Sequence, residues 1–268
     1  MPELPEVERA RALLERATLG RRIAAVDDTD TFVCRPHRPG EIAEALVGTT
    51  LASAHRRGKA MWVQTDRDAV LGLHLGMAGR LIVDDAAEGD PPGGAEARGD
   101  SAPTAHPRGW DRFTLTFADG GRLVLRDKRR LGRVRLDPDL AGVGPDAAEV
   151  SRAAFREAVG AGRAPLKARI MDQSVIAGVG NLLADEALWR ARLSPHRPAG
   201  DLADDELDHL RRTLRAATRD AIRRGGVHTG EVVPFRRREA ACPRCGAPME
   251  RATIGGRTTW WCSEEQRV

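Results

Sequence analysis

Near residue 140 the hydrophobic period of the chain changes, and that change demands two halves built differently. From residue 22 to about 136 the apolar residues alternate. Phe113, Leu115 and Phe117 interleave with Arg112, Thr114 and Thr116, Asp119-Gly120-Gly121 forms a turn, and Leu123 and Leu125 resume the pattern. A period of two around a glycine turn predicts an antiparallel hairpin. Met61-Trp62-Val63 and Leu71-Gly72-Leu73 supply further strands, and a two-layer sandwich buries one face of each. Beyond a Pro/Gly-punctuated linker the spacing turns helical over 153–159, 166–171, 182–189 and 204–224. In the last of these Leu207, Leu210, Leu214, Ala217 and Ala221 make the stripe, and Gly225-Gly226 stops it. A separate helix is expected over 5–18, with Pro5 in its first turn, Val7, Ala10, Leu14 and Ala17 on one face, and Gly20 at its end.

The expected organisation is therefore α+β. An N-terminal domain of helix plus two-layer β-sandwich covers 1–137, followed by a linker at 138–145, a helical domain at 146–234 and a cysteine-bearing hairpin at 235–268. Residues 84–109 interrupt the strand pattern with Pro91-Pro92-Gly93-Gly94 and several acids, and read as a flexible insertion.

Charge narrows the partner. The net charge is only +4, but residues 122–135 carry seven basic groups against Asp127, and residues 211–268 carry thirteen arginines against six acids. Such clustering suits a polyanion, although a solvated surface in an arginine-rich chain remains open. No apolar run is long enough for a membrane span, and the first residues do not read as a signal peptide. Three of the four cysteines gather near the C-terminus, which fits a reducing cytoplasm better than a disulfide framework. Lysine occurs only at 59, 128 and 167, so each position asks why arginine does not serve.

Pro2 carries the sharpest chemical hint. Once Met1 is removed it exposes a secondary amine that can attack an electrophilic sugar carbon and collapse to an iminium. The N-terminus of the following helix disfavours the ammonium form. Glu3 can move protons during base loss and ring opening, with Glu6 as a supporting carboxylate. Ordinary helix-terminus acids would look the same.

Met1-Pro2-Glu3-Leu4-Pro5-Glu6-Val7-Glu8 resembles the opening of the formamidopyrimidine-DNA glycosylase/endonuclease VIII family, and the resemblance continues in order through the chain apart from 84–109. Arg57-Gly58-Lys59 is similar to a hairpin whose lysine contacts phosphate and assists strand cleavage. His74-Leu75-Gly76-Met77-Ala78-Gly79 resembles the loop whose methionine fills the gap left by an extruded nucleotide. Asp172-Gln173 through Gly178-Val179-Gly180-Asn181 and Ala184-Asp185-Glu186 resembles the helix–two-turn–helix, whose asparagine holds phosphate. Gly256-Arg257-Thr258-Thr259 before Cys262 looks like the arginine-bearing zinc-finger hairpin.

The resemblance implies a monomeric bacterial cytoplasmic enzyme, nucleoid-associated through DNA, that binds damaged double-stranded DNA between its halves. It implies base removal through a Pro2 iminium, then β- and δ-elimination. Pro2, Glu3 and Lys59 would be catalytic, and Lys59, His74, Met77, Arg129, Leu131, Asn181 and Arg257 would contact DNA. The residues alone leave Met77 open as a core side chain, Asn181 as a helix cap and His74 as a structural group.

Four departures stand out. Glu265 replaces the last cysteine of the family's zinc set, so Cys242, Cys245, Cys262 and Glu265 would hold the metal, or Trp260 and Trp261 would hold a zincless finger. Leu131, in Asp127-Lys128-Arg129-Arg130-Leu131-Gly132, stands where an aromatic is usual. The connection from Gly226 to Cys242 is short for the loop that caps 8-oxoguanine in purine-specific members. The fourth is the insertion itself. The short connection and Leu131 point to oxidised pyrimidines, ring-opened purines or abasic sites ahead of 8-oxoguanine. A non-catalytic damaged-DNA binder is the alternative, which the intact Pro2-Glu3 pair disfavours. A zinc-finger regulator is disfavoured by the single incomplete finger.

Overall fold

A computed structural model describes residues 2–84 and 108–267; the expected insertion, apart from its ends, lies outside the described residues. The chain forms two compact units, one of Pro2 with Glu6–Leu140, the other of Glu3–Pro5 with the residues from Ala141 onward.

In the first unit α1 (Leu4–Thr18, whose first two residues count with the second unit) buries Val7, Ala10, Leu13 and Leu14 at helical spacing. β1 (Ile23–Asp27) leads through α2 (Glu41–Leu46) into β2 (Leu51–Arg57), β3 (Ala60–Thr65), β4 (Val70–His74) and β5 (Arg80–Val83), then β6 (Asp111–Phe117), β7 (Arg122–Arg126) and β8 (Arg133–Leu136). One antiparallel sheet runs β1-β6-β7-β5 and the other β2-β3-β4-β8. The expected hairpin is β6–β7, with Phe113 opposite Leu125 and Leu115 opposite Leu123. Phe113, Leu115 and Leu125 of one sheet share a core with Met61, Val63 and Leu71 of the other, which makes the sandwich. Each such side chain contributes about 1.5–3 kcal/mol by leaving water.

The second unit is helical: α3 (Arg152–Val159), α4 (Leu166–Met171), α5 (Asn181–Ala191) and α6 (Asp204–Arg224). Ser151 caps α3 by accepting from the Ala154 N–H at 3.2 Å. The α6 stripe is buried along the residues its period marks, and Gly225 ends the helix at φ 99°. β9 (Met249–Ile254) and β10 (Arg257–Cys262) form the terminal hairpin. Gly255 and Gly256 both take positive φ, 55° and 72°, as a tight primed turn requires, and this sets Arg257 directly after the tip. A small core of Trp189, Val232, Met249 and Trp260 supports it. The architecture is α+β with a sandwich, a helical unit and a finger-like hairpin. No helix among the described residues is long and apolar enough to cross a membrane.

Candidate functional site

Glu3 is buried although it carries a carboxyl group, and its partners explain why. One carboxylate oxygen accepts from the N–H groups of Gly180 at 3.1 Å and Leu183 at 3.0 Å, the other from Leu182 at 2.9 Å. These are unsatisfied donors at the start of α5, where the helix end also favours negative charge. The Leu4 N–H donates to the Gly178 carbonyl at 3.0 Å, so the N-terminal segment is pinned at two points. Only glycines permit this approach. A Cβ on Gly180 would lie 2.3 Å from Glu3 Cδ, and one on Gly178 would lie 2.5 Å from Leu4 Cδ1. Gln173 braces the turn from inside, donating to the carbonyls of Met171 and Val179 at 2.8 and 2.9 Å and accepting from the Gly178 N–H at 3.0 Å. Pro2 and Glu6 flank this anchor and are half-buried.

The first unit brings together another group of the sequence-marked residues. Lys59 sits at the two-residue turn between β2 and β3, where Gly58 takes φ 58°. His74 ends β4 opposite Arg133 of β8. Its Nδ1 accepts from the Gly76 N–H at 3.0 Å, so the neutral ring carries its proton on Nε2. Loss of solvation, then the cations Lys59, Arg133 and Arg135, hold the ring below the usual histidine range. Because the residue is exposed, the cations are the firmer cause.

Met77 lies in the loop after β4 and is 43% exposed, which removes the core reading. Its loop touches the one bearing Leu131: a Cβ on Gly76 would fall 2.5 Å from the Leu131 carbonyl oxygen. That second loop is shaped by Asp127, a fully buried carboxylate that accepts from the N–H groups of Arg129 at 2.9 Å and Gly132 at 2.7 Å. Leu131 is half-buried and Arg129 exposed.

Sequence reading passed over the residue that organises the second unit's polar surface. Lys167, fully buried, donates to Asn181 Oδ1 at 2.7 Å, Thr259 Oγ1 at 2.9 Å and the Thr258 carbonyl at 3.2 Å. It pairs with Asp185, also fully buried, at 2.6 Å, while the other Asp185 oxygen takes Arg236 at 2.7 Å. Burial pulls the ammonium below the usual lysine range, and Asp185 opposes that fall. Asn181 opens α5 as its first residue without capping it, and Lys167 holds its side-chain oxygen. Arg257 is exposed two residues from Thr259. The only advance signal for Lys167 was the rarity of lysine.

Replacing one partner of a buried pair usually costs about 3–5 kcal/mol. Arg236 still neutralises Asp185, so Lys167→Met should lose about 3 kcal/mol in urea unfolding. Unchanged stability would show that the network is decorative.

At the finger, the ligand atoms of Cys242, Cys245, Cys262 and Glu265 all lie within 4.8 Å of one another. Three thiols and a carboxylate are a donor set suited to a thiophilic divalent ion such as zinc. Burial opposes ionisation of Cys242, yet the Trp189 indole N–H and neighbouring backbone N–H groups bring its thiol down, whereas burial pushes Cys262 up. Glu265 also receives Arg244 at 2.7 Å, and Arg244 stacks on Trp189 at 3.9 Å. The residues fit a metal. Glu265→Ala should lower the zinc that copurifies and Glu265→Cys should raise it, read by elemental analysis. Metal-free protein with full DNA affinity after chelator-free purification would contradict the site.

A family model described as the formamidopyrimidine-DNA glycosylase N-terminal domain matches residues 1–134, and one described as its H2TH domain matches residues 141–232. The formamidopyrimidine-DNA glycosylase of Salinispora arenicola (strain CNS-205) is 35% identical over 98% of this chain and 95% of its own length. That of Roseiflexus sp. (strain RS-1) is 34% identical over 100% of both. The solved structure of Lactococcus lactis formamidopyrimidine-DNA glycosylase, bound non-covalently to DNA with an AP site, superposes with a TM-score of 0.80 at 26% identity over 99% of this chain and 100% of the other. MutM in complex with DNA containing carbocyclic 8-oxo-G gives 0.80 at 25% identity over 100% of both chains. With both of its units matched in this way, the chain belongs to the formamidopyrimidine-DNA glycosylase family of DNA-repair enzymes.

Proposed function

We propose that the protein is a bifunctional DNA glycosylase and AP lyase whose nucleophile is the Pro2 amine, freed by removal of Met1. The observation that carries this reading is the carboxylate of Glu3, adjacent to Pro2 and held by three backbone N–H groups at a helix start. A surface acid decorating a helix would not need such an anchor. In the proposed reaction the Pro2 nitrogen bonds to the sugar carbon bearing the damaged base, the glycosidic bond breaks, and the base leaves with a proton. Opening of the sugar ring then gives an iminium, and loss of a proton from the neighbouring carbon expels the 3′ phosphate. Glu3 serves as the proton carrier, held in place by its three hydrogen bonds. Glu6 supports it from the first turn of α1. Lys59, Arg129, Asn181 and Arg257 are assigned to the DNA backbone, His74 to a further DNA contact, and Met77 and Leu131 to the space left by the flipped nucleotide. Zinc at Cys242, Cys245, Cys262 and Glu265 would brace the finger that presents Arg257.

Substrate choice follows from the segment between Gly226 and Cys242. It has little slack to lay over a flipped base. Glu186 takes the N–H groups of Glu231 and Val232 at 3.0 and 2.9 Å, Arg236 is held by Asp185, and a Cβ on Gly230 would meet Glu186 at 2.7 Å. An open pocket favours oxidised pyrimidines, ring-opened purines or abasic sites over 8-oxoguanine. Single-turnover rates on matched duplexes should rank 8-oxoguanine opposite cytosine below these. If it is cleaved fastest, some other segment caps the pocket.

A further inference from the structure

Phe32 is 42% exposed, one of few large apolar side chains among the described residues left facing water. Its loop is nevertheless firmly docked. Asp30 accepts from the N–H groups of Phe32 and Val33 at 3.1 and 3.0 Å, Val33 and Cys34 are fully buried, and the Val33 carbonyl takes the Val134 N–H of β8 at 3.0 Å. The ring is therefore presented to solvent by a fixed backbone.

Three guanidinium groups surround it. Their carbons lie 3.9 Å (Arg35), 4.9 Å (Arg133) and 5.5 Å (Arg130) from the ring centroid. Arg135 joins the edge, donating to the Arg35 carbonyl at 3.2 Å. Asp30 pairs with Arg130 at 2.8 Å and with Arg112 at 3.8 Å, which leaves the cluster strongly positive. Crowding has a cost. Arg133 is held below the ordinary arginine value by burial and then by Arg35 and Arg135. An aromatic face attracts such cations. Arg133 Nη1 donates to the Gly132 carbonyl at 2.6 Å and Arg130 Nη2 to Asp30 at 2.8 Å, so the other N–H groups of these guanidiniums and those of Arg35 are the ones that would meet a planar or tetrahedral oxyanion.

We propose that Arg35, Arg130 and Arg133, seated on Phe32, form a clamp for backbone phosphates of duplex DNA beside the loop that carries Leu131. This rests on reading the protein as an enzyme of duplex DNA. The cluster meets the needs of that ligand: several repelling cations gathered on one surface, with a polyanion relieving their repulsion. Phe32 is the positioning residue, acting through the arginines.

The test uses Phe32→Leu, which changes no charge, in the full-length protein. Fluorescence anisotropy would follow binding to a duplex with a tetrahydrofuran abasic analogue and to the same duplex undamaged, across a salt series. Affinity should fall about three- to tenfold for both, and the dependence of log K on log salt should become shallower by about one. Arg35→Gln should give a similar loss, and the double variant should lose less than the sum, because both act on one clamp. Unchanged Phe32→Leu affinity overturns the proposal. So does a loss confined to the lesion duplex with an unchanged salt slope, which is the mark of base stacking. Wild-type protein that binds neither duplex sinks the glycosylase reading along with the clamp, whereas normal wild-type binding with an indifferent Phe32→Leu sinks the clamp alone.

Discussion

Gly180→Ala is expected to fold yet to excise damaged bases at least about a hundredfold more slowly, within the range by which a positioned proton carrier accelerates a reaction. The backbone at Gly180 is extended, φ −119° and ψ −166°, a conformation alanine adopts without strain. The added methyl would instead fall 2.3–2.6 Å from the Glu3 side chain. Something must move, and the carboxylate is the softest neighbour. Displacing it breaks three hydrogen bonds at the start of α5, a loss comparable to removing a helix cap, about 0.5–2 kcal/mol. Thermal unfolding should therefore shift modestly while single-turnover excision collapses. Glu3→Gln should show the same split. Wild-type excision by Gly180→Ala would mean that the position of the Glu3 carboxylate does not matter to the chemistry.

What was legible in the sequence was local. The helices at Leu166–Met171 and Asp204–Arg224 and the β6–β7 hairpin follow from period, caps and turn glycines, all of which act over a few residues. Glu3 was recognisable as a catalytic candidate, but its engagement with Gly180, Leu182 and Leu183 joins residues 177 to 180 positions apart. No local pattern encodes such a contact. The same holds for Lys167, whose flanking residues read as an ordinary short helix while its charge is matched by Asp185 and by the hairpin residues Thr258 and Thr259. Asp127 looked like the lone acid in a basic run, and proves to be the buried group that shapes the loop carrying Arg129 and Leu131. Phe32 gave no signal at all, since an exposed aromatic is identified by what surrounds it in space. Buried polar groups must find partners wherever the fold supplies them, so these were the residues a linear reading was bound to miss.

The second large effect concerns Pro2. Everything proposed for the reaction depends on a free secondary amine at that position, because an amide nitrogen cannot form an iminium. Protein that retains Met1 carries one more residue ahead of Pro2, which turns that nitrogen into an amide. Borohydride reduction in the presence of abasic DNA reads the covalent intermediate directly. The account predicts a trapped complex that maps to the N-terminal peptide, strong reduction of trapping in Pro2→Gly, and trapping at background when Met1 is retained. Trapping of the Met1-retaining protein at the wild-type level, or a cross-link mapped to Lys59 or another amine, would contradict it.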